Sequence, residues 1–491
     1  MRKSSVLAAL AVSLTGCSGA ARSTLPSPNS ETPPPIEREM RGLWVTTVGN
    51  TDWPSKDTLA ADQQRAELVA LLDRAVVGKF NAVMFQVRPA ADAVYASELE
   101  PWAALLTGKQ GKDPGYDPLA FAVQEAHARG LEIHVWINPY RAGNAKDTLL
   151  LASSHIFNTR RELVRIYGTQ VWMDPGEPEV QDQTIRVVND IVRRYDIDGV
   201  HADDYFYPYR QNDASGKEID FPDSASYMRS GSTLSRDDWR RSNVDRFIER
   251  MYREVHAIKP MVKVGISPFG IWRPRNPASV TGLDAYQSIY ADSRKWLQEG
   301  WVDYFVPQLY WAISSPGQSY PALFDWWLSQ NTLNRHVWPG LATYRVGSGA
   351  ASQFGPSEIR DQIVITRARA GGTGNIFFNT KTTILKENAV VASFADLYAN
   401  TAVMPAYPWL DATPPPAPSL SVVSSLVQIT PGAGESARWW VLRARAAGAW
   451  TTRIIFGTQV SVPVAANTDR VVVNAVDAAG NLSSAVSWAR P

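Results

Sequence analysis

Strand-like and helix-like segments alternate eight times between residues 41 and 398, and this alternation limits the fold more than any other feature of the sequence. The predicted strands are apolar runs at residues 41–48, 82–88, 131–138, 197–203, 262–267, 302–310, 336–343 and 375–379. The predicted helices lie at residues 62–77, 119–129, 180–195, 239–258, 293–299, 322–330, 356–370 and 387–398. Eight strand–helix units predict an α/β protein, a (β/α)8 TIM barrel with long loops. A doubly wound open sheet also alternates, but it usually has a glycine-rich phosphate loop after its first strand, and residues 46–50 do not form one.

Two neighbouring carboxylates follow the fourth predicted strand, in the segment Ile-Asp-Gly-Val-His-Ala-Asp-Asp-Tyr-Phe-Tyr-Pro at residues 197–208. Because side chains alternate along a strand, Val200 faces one side and Asp203 and Tyr205 face the other. In a TIM barrel the carboxyl ends of the strands carry the chemistry. Asp203 and Asp204 are therefore candidate catalytic residues. The alternative interpretation is a loop aspartate that caps the next helix.

Polar and aromatic residues also follow the other predicted strands and are expected to share the barrel mouth. The candidates for substrate binding are Trp44, Gln86, Arg88, Asp92, Asn138, Tyr140, Tyr205, Trp272, Gln308, Trp311 and Asn379. Amides, rings and acids are groups that orient a sugar and cleave its glycosidic bond. Simpler explanations remain open: Arg88 and Asp92 can pair with each other, and Asn138 and Gln308 can satisfy buried amide groups. Trp136 lies inside a strand and is predicted to belong to the core.

Composition argues against several other classes of protein. The net charge of +1, from 49 basic and 48 acidic residues, gives no field that favours nucleic acid. The six histidines show no paired ligand spacing, so no metal site is predicted, and the chain has neither a nucleophile elbow nor a phosphate loop, so no cofactor is predicted. The 18 Trp and 18 Tyr residues supply many rings that can stack on sugars.

The first residues predict export and a lipid anchor. Arg2 and Lys3 precede an apolar run at residues 6–14 that is too short to span a bilayer and is typical of a signal peptide. The run ends in Leu-Thr-Gly-Cys, which resembles a bacterial lipobox in which Cys17, the single cysteine of the chain, is acylated. Because Ser18 follows Cys17, the sorting rule for such lipoproteins favours the outer membrane, facing the periplasm, in a two-membrane cell.

Proline-rich segments divide the chain. Residues 1–17 are predicted as the signal peptide, 18–38 as a disordered tether, 39–411 as the barrel and 412–418 as a linker. Alternating runs at residues 422–429, 439–444, 451–456 and 471–476 predict a small β-sandwich at 419–491, and residues 476–482 resemble the last hairpin of fibronectin type III modules. Few contacts are expected to cross the linker.

Several motifs together resemble those of the glycosyl-hydrolase-like family ten domain, a bacterial TIM barrel. They are Met-Arg-Gly-Leu-Trp-Val at 40–45, Gln-Val-Arg-Pro-Ala-Ala-Asp-Ala-Val-Tyr at 86–95, Pro-Trp at 101–102, Val-Trp-Ile-Asn-Pro-Tyr at 135–140, the acidic segment at 198–208 and Val-Pro-Gln-Leu-Tyr-Trp at 306–311. The resemblance covers roughly residues 39–405. One described member type, the divisome-localised glycosyl hydrolase, is an outer-membrane lipoprotein that cleaves peptidoglycan glycans stripped of their stem peptides. The resemblance therefore implies a lipid-anchored peptidoglycan glycosidase.

The sequence is compatible with more than one mechanism. Direct glycosidases use two carboxyl groups that face each other across the scissile bond, and neighbours on one strand cannot easily do so. In substrate assistance, the 2-acetamido group of the sugar attacks its own anomeric carbon, and chitinase-like barrels do this with an acidic fourth strand and a tyrosine on the sixth. Asp203 and Tyr310 are similar to that pair, although Tyr205 stands where those barrels have the acid. Asp204, or a loop acid such as Asp92 or Glu177, would then donate the proton.

A second function of a different class is a catalytically dead barrel that binds glycan as a scaffold. In either case peptidoglycan strands are the expected partner of the barrel. The membrane is the expected partner of the acylated Cys17, and a cell-wall or divisome protein is the expected partner of the C-terminal module. The presence of both Asp203 and Asp204 argues against loss of catalysis.

Overall fold

The computed structural model describes residues 31–351, 353–387 and 389–490. Eight parallel strands form the barrel, with the seventh in two pieces: β1 Met40–Val45, β2 Ala82–Arg88, β3 Glu132–Ile137, β4 Gly199–Ala202, β5 Lys263–Ile266, β6 Tyr304–Phe305, β7 His336–Val337 and Gly340–Ala342, and β8 Gly374–Phe378. The first piece of β7 pairs with β6, the second pairs with β8, and β8 pairs with β1. The sheet therefore closes on itself, and the predicted TIM barrel is confirmed.

Two prolines explain where the strands are shorter than predicted. The sequence predicts one strand at residues 302–310 and another at 336–343, whereas β6 has only two residues and β7 is interrupted. Proline has no backbone N–H to donate to a neighbouring strand, and Pro307 and Pro339 lie at these breaks. Their carbonyl groups still accept hydrogen bonds from Gly340 and Ile376, which keeps the barrel continuous.

Seven α-helices follow strands around the barrel: α1 Ala61–Val77, α2 Pro118–Ala128, α3 Pro178–Arg194, α4 Arg236–Ile258, α5 Ser293–Gln298, α6 Tyr320–Gln330 and α7 Glu358–Arg367. Local signals start them, because the Asp117 side chain accepts hydrogen bonds from the first turn of α2 and Ser235 does the same for α4. No helix in the described part of the chain is long and apolar enough to cross a membrane.

The predicted eighth helix at residues 387–398 is wrong. A π-helical turn, Lys381–Leu385, and a 3-10 turn, Val390–Phe394, follow β8 instead. Valine and serine in this segment have low helix propensity. The ring of Phe394 stacks on Phe377, with centroids 5.3 Å apart, so packing against the barrel decides the local conformation.

The C-terminal module is a sandwich of two antiparallel sheets. Its strands are β9 Ser419–Val423, β10 Leu426–Thr430, β11 Trp439–Ala446, β12 Ala449–Phe456, β13 Ser461–Pro463, β14 Thr468–Val476 and β15 Val486–Ala489. One sheet has the order β9-β10-β13 and the other β12-β11-β14-β15, which confirms the fibronectin-like fold class. The predicted single run at 422–429 is a hairpin, because Ser424 and Ser425 take positive φ angles of 49° and 65° and reverse the chain.

The module packs against the end of the barrel where the strands begin. Arg438, just before β11, donates hydrogen bonds to the carboxylates of Asp196 at 2.9 Å and Asp198 at 2.7 Å, which precede β4. The ring of Phe456 stacks on His127, with centroids 4.6 Å apart. The expectation that few contacts link the two parts is therefore wrong. A proline-rich linker indicates where the barrel ends in the sequence. It does not indicate whether the module that follows packs against the barrel.

The residues before β1 run along the same end of the molecule. Residues 37 and 38, predicted as part of the tether, pair in parallel with residues 402 and 403. The Arg443 side chain donates a hydrogen bond to the carbonyl of Pro34 at 3.0 Å, and Arg470 forms an ion pair with Glu31 at 3.1 Å. The chain thus enters the barrel on the side where the module packs. The predicted signal peptide and Cys17 lie outside the described residues.

Candidate active site

A pocket of about 180 Å³ opens at the carboxyl ends of the barrel strands. Its lining combines acids, amides, aromatic rings and one arginine: Trp44, Thr46, Val48, Gln86, Trp136, Asn138, Arg141, Asp203, Asp204, Tyr205, Ser267, Gln308, Tyr310 and Phe378. A larger groove of about 480 Å³ lies beside α3. Its charged groups pair with one another, as Arg160 does with Glu179 and Arg250 with Asp182. The smaller pocket is therefore the stronger candidate for chemistry.

The two aspartates lie side by side in the pocket but have different partners. Asp203 accepts a hydrogen bond from Trp136 Nε1 at 3.1 Å and another from the backbone N–H of Tyr205 at 3.3 Å. Asp204 accepts a hydrogen bond from the Tyr209 hydroxyl group. Each aspartate is less than 5% exposed. Among the described residues, no basic side chain donates a hydrogen bond to either carboxyl group at the end of β4.

Burial changes the proton affinity of this pair. It raises the pKa of Asp203 well above its ordinary value, and the neighbouring Asp204 raises it further. Burial also raises the pKa of Asp204, to about 6. Because the two groups are neighbours, they titrate as a pair. Because the pKa of Asp203 is the more strongly raised, Asp203 can keep a proton while Asp204 ionises, so the pair can supply both an acid and a carboxylate.

A neutral histidine supports the floor of the pocket. The Trp44 indole donates a hydrogen bond to His201 Nε2 at 3.0 Å, and Ser267 Oγ lies 3.0 Å from the same nitrogen. Since an indole only donates, His201 Nε2 is an acceptor and its proton lies on Nδ1, toward the Tyr304 hydroxyl group. Burial lowers the pKa of His201 to about 3, with a smaller effect from His134. His201 therefore positions Trp44 and Ser267 rather than transferring protons.

Aromatic rings form one wall of the mouth. Tyr310 stacks on Phe378 with centroids 5.9 Å apart, and Tyr344 meets both rings edge-on. Burial raises the pKa of Tyr310 well above its ordinary value, so its hydroxyl group stays protonated and can donate a hydrogen bond. Flat aromatic faces can pack against the apolar face of a sugar ring, while the neighbouring hydroxyl and carboxyl groups can bind its polar edge.

The structure brings together most of the residues that the sequence predicts for the site. The pocket contains all three candidate catalytic residues, Asp203, Asp204 and Tyr310, and five candidates for binding, namely Trp44, Gln86, Asn138, Tyr205 and Gln308. Two of these amides also brace the mouth. Gln86 Oε1 accepts hydrogen bonds from the backbone of the loop after β1, and Asn138 Nδ2 donates one to the carbonyl of Pro89 at 2.9 Å.

Three predicted residues near β2 and β3 lie outside the pocket lining. Arg88 is fully buried in an ion pair with Glu100 at 2.5 Å. Asp92 instead accepts a hydrogen bond from Gln110 at 3.0 Å, so the suggested pairing of Arg88 with Asp92 is absent. Tyr140 packs against Phe247, with ring centroids 5.3 Å apart. These side chains stabilise the packing around the barrel and do not line the pocket. Their position after a strand does not distinguish the two roles.

Three more predicted residues also lie elsewhere. Trp272 stacks on Trp326, and its indole donates a hydrogen bond to Asp292 at 2.9 Å. Trp311 meets Phe269 edge-on outside the pocket lining. Asn379 turns back on its own loop, because its carboxamide oxygen accepts a hydrogen bond from Thr382 Oγ1 at 2.9 Å. The alternative acid Glu177 pairs with Arg165 at 3.2 Å, away from the pocket lining.

Six lining residues are absent from the set predicted for the site: Thr46, Val48, Trp136, Arg141, Ser267 and Phe378. Trp136 is buried in the core, as predicted, and its indole also reaches Asp203. Alternation along β3 places Trp136 on the same face as Asn138, and this signal could have identified it. Arg141 follows the third strand just as Tyr140 does, so the signal that marks Tyr140 marks it too, although the antiparallel hairpin that holds it is not visible in the strand–helix alternation.

A closed TIM barrel with paired buried acids and aromatic rings at its mouth defines a protein of the glycosidase class. The chain belongs to the glycosyl hydrolase-like 10 family, whose model matches residues 39–356. It is 41% identical to the protein named glycosyl hydrolase YngK of Bacillus subtilis (strain 168) over 400 residues, which cover 79% of this chain and 77% of the relative. It is 34% identical to glycosyl hydrolase DigH of Escherichia coli (strain K12) over 411 residues, 77% of this chain and 92% of the relative.

Among solved structures, the glycoside hydrolase domain of PgaB (BpsB) from Bordetella bronchiseptica is similar at 13% identity, with a TM-score of 0.47. The match covers 75% of this chain and 99% of that domain. The catalytic domain of β-amylase from Paenibacillus polymyxa has the same TM-score at 12% identity, over 74% of this chain and 98% of that domain. The family model ends before the barrel does, since α7 and β8 lie beyond residue 356.

Proposed function

We propose that this protein is a lipid-anchored glycoside hydrolase that cleaves N-acetylated glycan strands of peptidoglycan from which the stem peptides have been removed. One observation carries the proposal. Within the described part of the chain, Asp203 and Asp204 are the only carboxyl groups that line the pocket, and they are neighbours directly after one strand. They cannot face each other across a glycosidic bond, as direct retaining or inverting mechanisms require. A substrate that carries its own nucleophile, the 2-acetamido group, removes this requirement.

In the proposed reaction the acetamido oxygen of the substrate attacks the anomeric carbon as the glycosidic bond breaks. The protonated member of the aspartate pair is assigned to Asp203, whose pKa is the more strongly raised, and it gives its proton to the leaving oxygen. The carboxylate, assigned to Asp204, accepts a hydrogen bond from the acetamido N–H and stabilises the positive charge that develops. These roles are the reverse of those that the sequence suggests. Tyr310 donates a hydrogen bond to the same acetamido group. Water then opens the cyclic intermediate and returns a proton to Asp203.

The titration of the two aspartates predicts that activity falls on the acidic side of the pH profile. We expect kcat/KM for glycan cleavage to rise from acidic to neutral pH with an inflection near pH 6, the value to which burial raises the pKa of Asp204. Below this pH both carboxyl groups bind protons, and the carboxylate that stabilises the developing charge is lost. Initial rates across the acidic and neutral range check this. A rate that keeps rising toward low pH would contradict the assignment.

The anchor is proposed from the lipobox-like sequence that ends at Cys17. Replacing this residue, Cys17→Ala, should move the protein from the membrane pellet to the soluble periplasmic fraction without changing the activity of the barrel. A triacylated cysteine buries many methylene groups at about 0.8 kcal/mol each, and the variant has none of them. Fractionation of expressing cells checks the prediction, with Ser18→Ala as the matched control. Unchanged pelleting of the Cys17 variant would rule out the anchor.

Digestion of purified sacculi tests the function itself. The wild-type protein should release soluble glycan fragments from sacculi pretreated with an amidase, and fewer from untreated sacculi. Product analysis by mass spectrometry identifies the bond that is cut. Binding to sacculi without any released product would favour the alternative of a glycan-binding scaffold, with the C-terminal module meeting a cell-wall or divisome partner.

A further inference from the structure

Arg141 is partly buried and differs from the fully buried arginines of the barrel in having no ion-paired carboxylate. Arg41, Arg88 and Arg240 each form an ion pair with a carboxylate at 2.8 Å or less. Among the described residues, by contrast, the guanidinium of Arg141 makes no hydrogen bond and no ion pair, and its buried Nε lacks any acceptor. Its guanidinium carbon lies 5.9 Å from the centre of the Tyr205 ring, and its charge acts on Asp203 through space, which partly offsets the rise in the pKa of that carboxyl group. A buried donor without a partner costs stability. The position therefore favours a side chain whose missing acceptor is supplied by a bound ligand.

The backbone around Arg141 holds this side chain in the pocket. Arg141 begins the strand Arg141–Asn144, which pairs with the antiparallel strand Gln170–Met173, and Arg141 lies opposite Trp172. The Trp172 side chain is fully buried and donates a hydrogen bond to the carbonyl of Phe206 at 2.9 Å. The arginine is therefore fixed to the barrel at its backbone, while its guanidinium group lines the same pocket as Asp203 and Asp204.

From this arrangement we infer that Arg141 binds a carboxylate group of the substrate. The inference rests on the proposed function and identifies how the stripped glycan is recognised. When an amidase hydrolyses the bond between a stem peptide and the lactyl group of the muramic acid sugar, a free carboxylate replaces an amide. The planar guanidinium group binds a carboxylate through two parallel N–H···O bonds, and an amide cannot accept both. Arg141 thus distinguishes stripped strands from strands that still carry peptides.

A kinetic comparison separates this role from that of a counter-ion to the aspartate pair. Two substrates are needed: amidase-stripped strands, and the same strands after carbodiimide coupling of their carboxylates to methylamine. In the variant Arg141→Gln, KM for the stripped strands should rise by about 10- to 100-fold, the usual effect of losing a charge-assisted hydrogen bond. KM for the methylamide strands should stay within about twofold of the wild-type value.

Two further variants sharpen the test. Arg141→Lys keeps the positive charge but loses the planar pair of N–H donors that binds a carboxylate. Its KM for stripped strands should therefore lie between those of the wild type and Arg141→Gln. Arg210→Gln removes an arginine from the loop after β4 that pairs with Glu218 at 2.8 Å, and it should behave like the wild type on both substrates. An equal rise in KM on both substrates, or a shifted pH profile with no change in KM, would overturn the inference.

A binding measurement keeps the inference separate from the proposed hydrolysis. The protein carrying Asp204→Asn, with and without Arg141→Gln, is titrated calorimetrically with stripped strands and with methylamide strands. We expect the Arg141→Gln change to weaken binding of the stripped strands by about 10- to 100-fold and to leave the methylamide strands unaffected. If the wild type hydrolyses neither substrate, the proposed function fails but this difference in binding still holds. If stripped and methylamide strands bind equally well before Arg141 is changed, the inference is wrong.

Discussion

Asp203→Asn and Asp204→Asn are each expected to lower the rate of glycan cleavage by roughly 100- to 10,000-fold, the usual contribution of a general acid or of a carboxylate beside a developing charge. An amide is nearly the same size as a carboxyl group, so both variants should fold. The amide group, however, cannot donate a proton to the leaving oxygen or stabilise the positive charge that develops. Initial rates on amidase-treated sacculi measure the effect, and circular dichroism checks the fold. Asp203→Asn is expected to be the more severe change.

Other variants control for the position of the site. Tyr310→Phe should reduce the rate less, because it removes one hydrogen bond to the acetamido group and leaves the ring that stacks on Phe378. Glu177→Gln removes an acid that pairs with Arg165 outside the pocket lining, and it should have little effect on the rate. If both aspartate variants digest sacculi at the wild-type rate while Glu177→Gln or Asp92→Asn does not, the catalytic centre is not at the end of β4.

Arg438→Met is expected to destabilise the barrel by about 3 kcal/mol, although the residue belongs to the C-terminal module. Burial alone would raise the pKa of Asp198, but Arg438, and after it His127, hold that pKa below its ordinary value. Asp198 is 4% exposed and also accepts a hydrogen bond from the backbone N–H of Ile133, at the start of the barrel sheet. Removing one member of a buried ion pair is strongly destabilising, and here it leaves Asp198 with the weaker interaction of His127, 3.0 Å away.

Urea denaturation measures this loss, and two variants serve as controls. Arg445, on β11, pairs at 2.7 Å with Asp469, which is exposed, so Arg445→Met should cost less than about 1 kcal/mol. Adding Asp198→Asn to Arg438→Met should recover part of the loss, because the amide removes the unpaired charge. Equal midpoints for Arg438→Met and Arg445→Met would show that the contact does not stabilise the barrel. A fragment of residues 39–411 lacks Arg438 and should show a similar loss.

The sequence predicts the barrel well because alternation of strand and helix is a local pattern. The prediction fails where a proline interrupts a strand, as at Pro307 and Pro339. It also fails where tertiary packing sets the local conformation, as at Phe394. The acid pair of the candidate site is also a local signal, since it follows a buried strand directly. Whether a side chain turns into the mouth or away from it depends on long loops. Arg88 meets Glu100 and Trp272 meets Trp326 through contacts that no spacing reveals.

The route of the chain before β1 determines on which side of the molecule the proposed lipid anchor is attached. Residues 31–38 run along the C-terminal module and the start of the barrel strands, whereas the pocket opens at the opposite end. With the proposed lipid on Cys17, the fourteen residues up to Glu31 reach at most about 50 Å. On the proposed anchor, the tether therefore joins the molecule on the side of the module, and the pocket opens at the far end from it. The length of the tether then limits how far from the lipid the pocket can reach its proposed glycan substrate.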